Sequence, residues 1–539
     1  MTFGTRSTGS TSNQCQNVTI HNVSTIKLTK SLNARASADD DRKDTDLSSQ
    51  AEVDTVEEAE SSEAPAAREG SGSPGTEAAE QDLKQDSDGD EETSQDQEGD
   101  TDSATGKGDG SEEASDIGPH DASGTEAEAD VLVLAAAPGR DGAEAPEILL
   151  EGLEPPSSTA LEGLDINALV TLLPALGFSG AQDSVVRLPS SAVTAQGYRG
   201  PATILVVGVG TGWADTDPLA VTTDDEAALG YDQTGLLRRA AGRATRALAG
   251  TDSAVLALPT LCEEQLAAVA HGAALGAYSW SATKNEDRPG QEKTSKKTSP
   301  LTTISIISPL ADTPEGQEAL AGALALAQAT ALTRDLVNEP PNRLTPEVFA
   351  ERARAAGQEA GIRVEIWDAP ALVEQGFGGI LGVAQGSVHP ARLVRLEWSP
   401  EHATKGSGGQ AGSQAEDDGA AGRPKHVALI GKGITFDSGG LSLKPASSMP
   451  EMKSDMAGAA TVLGAIITAA RLALPIRVTA WLALAENMPG ADAQRPSDVI
   501  TMFDGTTVEV TNTDAEGRLA RAETWLAQGR EIQARRGAH

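Results

Sequence analysis

At 539 residues the chain has room for two or three domains, but its formal net charge of −38 is concentrated: residues 38–130 hold 32 Asp or Glu against 5 Lys or Arg. Such acidity repels nucleic acid and anionic membranes, so neither is an expected partner, and two cysteines, Cys15 and Cys262, build no disulfide framework. With no basic start before an apolar core and no apolar run long enough to cross a bilayer, the expected compartment is the cytoplasm.

Residues 1–155 read as a disordered, acidic, low-complexity extension. Between residues 38 and 130, Glu, Asp, Ser, Gly, Ala and Gln dominate, and aromatic and branched apolar side chains are too sparse to offset chain entropy; the short alternating stretch 18–23 reads either as a strand or as irregular chain. A solubilising role is the extension's plain reading. Residues 160–309 alternate apolar strands (202–209, 254–258, 301–308) with amphipathic helices (234–248, 263–278), which predicts a small N-terminal α/β domain. Gly208, Gly210 and Gly212 follow one of these strands, but the spacing departs from GxGxxG and no acidic residue closes a second strand, so they read as a Gly-rich turn.

The Ala-, Leu- and Gln-rich stretch 313–337 predicts a connecting helix. Pro340 and Pro341 stop it, and Thr345 with Pro346 starts the next. Residues 338–519 again alternate, with strands at 364–366, 393–398, 427–430, 477–484 and 508–510 and a helix at 457–472. Nearly continuous apolar strands separated by helices predict a mostly parallel αβα sheet covered on both faces. A Gly-, Ser- and Asp-rich insertion between Trp398 and Lys425 reads as a surface loop.

Sites in such sheets gather at the carboxyl ends of the strands, and chemistry-bearing residues cluster there. Lys432 and Asp437 lie in Gly-Lys-Gly-Ile-Thr-Phe-Asp-Ser-Gly-Gly at 431–440, followed by Lys444 and by Asp455 in Lys-Ser-Asp-Met at 453–456. Asn-Thr-Asp-Ala-Glu-Gly-Arg-Leu occupies 512–519, after the apolar-patterned segment 507–511. Alternate residues of an extended chain share a face, so Asp514, Glu516 and Arg518 are expected to converge there as in a metal site.

No histidine falls between 431 and 518, which excludes HExxH zinc chemistry and leaves a Ser-His-Asp triad dependent on a distant residue such as His389. Crowded carboxylates raise one another's pKa values unless cations sit among them, and two divalent ions would relieve that. Singly, Asp437 and Asp455 read as turn or cap residues. Three motifs in this order weigh more than any one of them.

Together these motifs resemble the leucyl aminopeptidases of the cytosolic dimetal type, peptidase family M17, whose signature is the octet at 512–519; the resemblance runs from about Ile166 to Leu519. It implies Lys432, Asp437, Asp455, Asp514 and Glu516 as ligands of two divalent ions, Mn²⁺ or Zn²⁺, with Asp437 and Glu516 bridging. It implies Lys444 as the ammonium that stabilises the tetrahedral oxyanion, and Arg518 as holder of a bicarbonate proton shuttle. Peptides with a free amino terminus would be the substrates, leucine-like residues the preferred product, and a homohexamer the assembly.

After Leu519 the sequence departs from that pattern. Residues 520–539 read as an atypical tail, so the catalytic domain at 338–519 is expected to lack its last βα units and the hexamer its footing. A truncated, non-catalytic remnant acting through protein interaction is the alternative reading. A third, another dimetal hydrolase such as a phosphoesterase, would normally be richer in His and Asn ligands.

Overall fold

The computed structural model of the protein describes residues 16–20, 25–30, 129–140, 143–153, 160–215, 233–283, 299–400 and 425–537. Residues 38–128 of the acidic stretch, residues 284–298 and the insertion 401–424 lie outside the described residues.

The N-terminal sheet is built from β1 (Gln16–Ile20), β2 (Thr25–Lys30), β3 (Val131–Ala137), β4 (Glu147–Leu149), β5 (Val185–Pro189), β6 (Thr203–Gly208), β7 (Ser253–Ala257) and β8 (Thr303–Ile307). Their order is β1-β2-β8-β7-β3-β6-β5, with β4 on β3. β6, β3, β7 and β8 run parallel, while β5, β2 and β4 join antiparallel. β3 is buried at all seven positions. Its alternate residues serve two cores: Val131, Val133 and Ala135 pack with α2 (Gln233–Ala247) and α3 (Glu263–Gly276), whereas Leu132, Leu134 and Ala136 pack with Leu169 and Leu173 of α1 (Ile166–Ala175).

This corrects the expectation that residues 1–155 form one disordered extension. The run Val131-Leu132-Val133-Leu134-Ala135-Ala136-Ala137 is apolar throughout, as a strand buried on both faces must be. Averaging it into an acidic window hides it.

The connecting helix is α4 (Pro314–Asn338), where the Thr313 side chain accepts from Gly316 N and Pro314 opens the first turn. α5 (Pro346–Glu359) starts the same way, capped by Thr345. β9 (Arg363–Trp367), the short helices α6 (Ala369–Gln375) and α7 (Gly378–Ala384), β10 (Arg392–Trp398), β11 (His426–Asp437), α8 (Ala457–Arg471) and β12 (Arg477–Asn487) follow. The second sheet has the order β11-β12-β10-β9; β11 and β12 are parallel, and β10 pairs antiparallel with both β12 and β9. One face packs on α5 and α8, the other on α7 and α9 (Glu516–Gly537).

Two further expectations are corrected here. Residues 508–510 do not extend the main sheet: β14 (Thr507–Glu509) forms a separate antiparallel ribbon with β13 (Val499–Thr501). The atypical tail expected at 520–539 is instead the body of α9, which buries Ala520, Glu523, Thr524, Ala527 and Gln528. Their spacing of three and four residues is helical, and it places small and polar side chains against the sheet. No helix among the described residues is long and apolar enough to cross a membrane.

Candidate metal centre

β11 is far longer than the four residues expected of it, and it carries two of the site residues itself. Lys432 lies in its middle and Asp437 ends it, beyond a register shift between Ile434 and Asp437 that re-aims the last residues of the strand. Asp437 is 2% exposed. Its Oδ1 accepts from Gly439 N (2.9 Å) and from Asn487 Nδ2 (2.8 Å), which leaves Oδ2 for Lys444 Nζ at 2.7 Å.

Asp514 does not sit on an extended strand. It stands on the 3₁₀ turn Thr513–Ala515, and Glu516 begins α9, so the alternation argument for their convergence fails. The turn brings them together by another route: Asp437, Asp514 and Glu516 each offer a carboxylate oxygen, all within 4.8 Å of one another, in a group that contains no histidine. The N-terminal end of α9 adds a favourable partial charge to Glu516. Arg518, two residues on, is exposed on the first turn.

The cluster is organised around two lysines. Lys432 Nζ meets Asp455 Oδ2 at 2.7 Å and Glu516 Oε1 at 2.6 Å. Lys444 Nζ meets Asp437 at 2.7 Å and also contacts Asp514. Burial disfavours both ammonium groups, but the hydrogen bonds to their carboxylates more than offset it: Lys432 is held above the ordinary lysine range and Lys444 is pushed up to about 12. Burial pushes the Asp455 carboxyl up to about 6 against the pull of Lys432, with Asp437 and Glu516 repelling in the same direction as burial.

One glycine is required by close approach: a Cβ on Gly439, whose φ is +86°, would lie 2.4 Å from the Ser442 carbonyl oxygen and 2.9 Å from Asp514 Oδ1. A Cβ on Gly517 would lie 2.8 Å from Lys432 Nζ and displace that side chain. The donor set fits divalent cations: Glu516 is 1% exposed, and its Oε2 is buried with no hydrogen-bond partner.

Asn487 and Thr513 hold this arrangement, and neither was singled out as a site residue from sequence. Asn487 Nδ2 also donates to the Thr513 carbonyl (3.0 Å), while the Thr513 hydroxyl donates to Gly439 O (2.7 Å) and accepts from Ser442 N (2.8 Å). The signal for Asn487 is the polar pair Glu486-Asn487 that closes the apolar run 480–485; in the folded chain Asn487 lies directly opposite Asp437 in the β11–β12 register.

The segment bearing Asp455 is tied to the end of α4. Lys453 Nζ donates to Asn338 O (3.1 Å), Asn338 Nδ2 donates to Tyr278 Oη (3.3 Å), and Tyr278 Oη donates to Asp335 Oδ1 (2.8 Å). The Arg-Asp-Leu-Val-Asn run at 334–338 thus joins the two sheets' elements as well as ending a helix.

The family model of the cytosol aminopeptidase family, catalytic domain, matches residues 331–535. The probable cytosol aminopeptidase of Micrococcus luteus is 43% identical over 403 residues, which cover 75% of this chain and 68% of that protein. The chain belongs to the cytosol aminopeptidase family. The corresponding protein of Leifsonia xyli subsp. xyli is 43% identical over 410 residues, covering 76% of this chain and 68% of its own. Among solved structures, the bottromycin maturation enzyme BotP in complex with Mn is similar at 30% identity and a TM-score of 0.53, covering 74% of this chain and 68% of that one. The match to the catalytic domain runs past Leu519 into α9, so most of the residues expected to be an atypical tail lie within it. Membership places the chain among the peptidase hydrolases.

Proposed function

We propose that the chain is a dimetal aminopeptidase that releases N-terminal amino acids, leucine-like ones preferred, from peptides. The observation that carries this reading is the buried, unpartnered Glu516 Oε2 in a cluster of four carboxylates and two lysines. Lys432, Asp437, Asp455, Asp514 and Glu516 would hold the ions. Carboxylate and amine donors accept Mn²⁺ or Zn²⁺, and a Mn complex of BotP favours the former. When bound, the ions would polarise the scissile carbonyl and make the attacking water acidic.

The protein's own groups divide the remaining work. Lys432 must surrender the proton that it holds in the metal-free cluster, and a dication beside an amine favours the neutral form. Lys444 lacks that requirement; its ammonium would offset the negative charge that develops on the carbonyl oxygen. Arg518 would hold a bicarbonate anion as proton carrier. The substrate's free amine is needed for anchoring, which makes the reaction exopeptidic. Cytoplasmic location and a homohexamer belong to the same reading.

The test is chromophore release from a leucine anilide by the full chain with Mn²⁺ or Zn²⁺, beside an Asp514→Asn control. Turnover that vanishes in the control is expected. A soluble, metal-loaded parent without turnover would overturn the proposal.

A further inference from the structure

Asp455 stands at a junction between the 3₁₀ segment Met449–Ser454 and α8. On the α8 side it is followed by Met456, which is fully buried in the core of the second sheet. On the other side every residue from 449 to 454 is half-buried or exposed, and Ser454 bonds within its own segment, to Glu451 O at 2.7 Å. Packing therefore fixes Asp455 from one side.

Lys453 reaches out of that segment. Its Nζ donates to the carbonyl of Asn338, the last residue of α4, at 3.1 Å. The last carbonyls of a helix have no partner inside it and carry the negative end of its dipole, so an ammonium there is held by hydrogen bond and charge together. Among the described residues Lys453 forms no ion pair with the four carboxylates of the cluster, whose lysine partners are Lys432 and Lys444.

Asn338 is fixed in turn by Tyr278, which follows α3 in the core of the N-terminal sheet. Asn338 Nδ2 donates to Tyr278 Oη at 3.3 Å, and Tyr278 Oη donates to Asp335, one turn back on α4, at 2.8 Å. The Arg334 guanidinium lies 3.8 Å from the centre of the same ring. Burial and the Asp335 carboxylate push the pKa of the Tyr278 hydroxyl up, which keeps the proton on the donor.

We propose that Lys453 is a positioning residue of the metal centre and that Tyr278 sets it from the N-terminal sheet, the series Tyr278, Asn338, Lys453 holding the Asp455 carboxylate in place for an ion. This rests on the aminopeptidase reading only in taking Asp455 as a metal ligand. Charge alone predicts the opposite effect: an ammonium two residues from a ligand repels a dication, so removing it would tighten metal binding. The sign of the change separates position from charge.

Calorimetric titration of Mn²⁺ into the metal-free full chain tests this, beside Lys453→Met, Lys453→Arg, Tyr278→Phe and the Lys453→Met/Tyr278→Phe pair, each shown to be folded by circular dichroism. Lys453→Met is expected to weaken Mn²⁺ binding about 10- to 100-fold, as loss of an outer-shell support does. Lys453→Arg, which keeps a cationic donor for the Asn338 carbonyl, restores most of the affinity. Tyr278→Phe changes no charge and keeps the ring under Arg334, yet should weaken binding in the same direction. The pair should lose no more than Lys453→Met alone, because groups acting in series are not additive. Unchanged or tighter Mn²⁺ binding in Lys453→Met, or in Tyr278→Phe should Lys453→Met not fold, would overturn the positioning role, as would additive losses in the pair. These results in a parent that cleaves the leucine anilide remove this inference alone. The expected losses in a parent that binds Mn²⁺ without cleaving the anilide support it and remove the aminopeptidase reading, and a parent that binds no Mn²⁺ removes both.

Discussion

Strand β3, inside the N-terminal sheet, and strand β11, at the edge of the second, treat burial in opposite ways. β3 is apolar at every position, has parallel neighbours on both sides and feeds two cores with alternate residues. β11 lies at the edge of its sheet, interrupts its apolar run with Lys432 and ends it with a buried Asp437. Burying charge costs free energy that burying leucine returns. The first strand is thus optimised for stability, and the second gives some up to hold a reactive cluster.

Substitutions can break that contrast. Glu516→Gln should have the largest effect: metal affinity, read by calorimetry with Mn²⁺, is expected to fall more than the roughly 100-fold typical of outer-shell groups. The metal-free variant should melt no lower than the parent, because a buried carboxylate has left a crowded set. A large drop in melting temperature would mean that Glu516 serves the fold. Lys444→Met should lower kcat by about 10²–10³ while KM moves little, the pattern of a group that acts on developing charge; a change confined to KM would move Lys444 to substrate binding. Leu134→Ala should do the reverse, costing about 2–5 kcal/mol in denaturant unfolding because its side chain is fully buried, with kcat per folded molecule unchanged.

The same contrast explains what could be read from sequence. Apolar periodicity located α2, α3, α4, α8, β6, β7, β8, β10 and β12 within a few residues, because their burial leaves an unbroken pattern. Composition failed for β3, where seven apolar residues adjoin the acidic stretch. Pattern also failed for the octet at 512–519, since a 3₁₀ turn and a helix start place Asp514 and Glu516 by tertiary packing that no local period announces. The residue types of the cluster were legible because oxygen donors with lysines and no histidine form a narrow chemical set. Their supports were not: Asn487 acts through its register opposite Asp437, which exists only once β11 and β12 have paired.

The smallest expected effect concerns Glu523, a charge that α9 buries without a lysine. Its Oε2 accepts from Ile380 N at 2.8 Å and its Oε1 from Phe503 N at 2.7 Å, so it ties α9 to α7 and to the segment after β13. Burial pushes its carboxyl from 4.5 up to about 7, despite the opposing pull of those backbone donors. The folded state therefore holds this proton at pH values where the unfolded chain has released it. The resulting stability is complete below about 4.5 and declines as pH rises through about 7, by at most about 1.4 kcal/mol per pH unit for one group. Glu523→Gln cannot titrate, so between pH 5 and 8 it should lose less stability than the parent does. Asp455, also raised, slopes in the same direction in both proteins and cancels in the difference. Urea unfolding of parent and variant at the two pH values measures that difference. Equal losses would mean that Glu523 is ionised in the fold at pH 5, held by its backbone donors more strongly than burial opposes them.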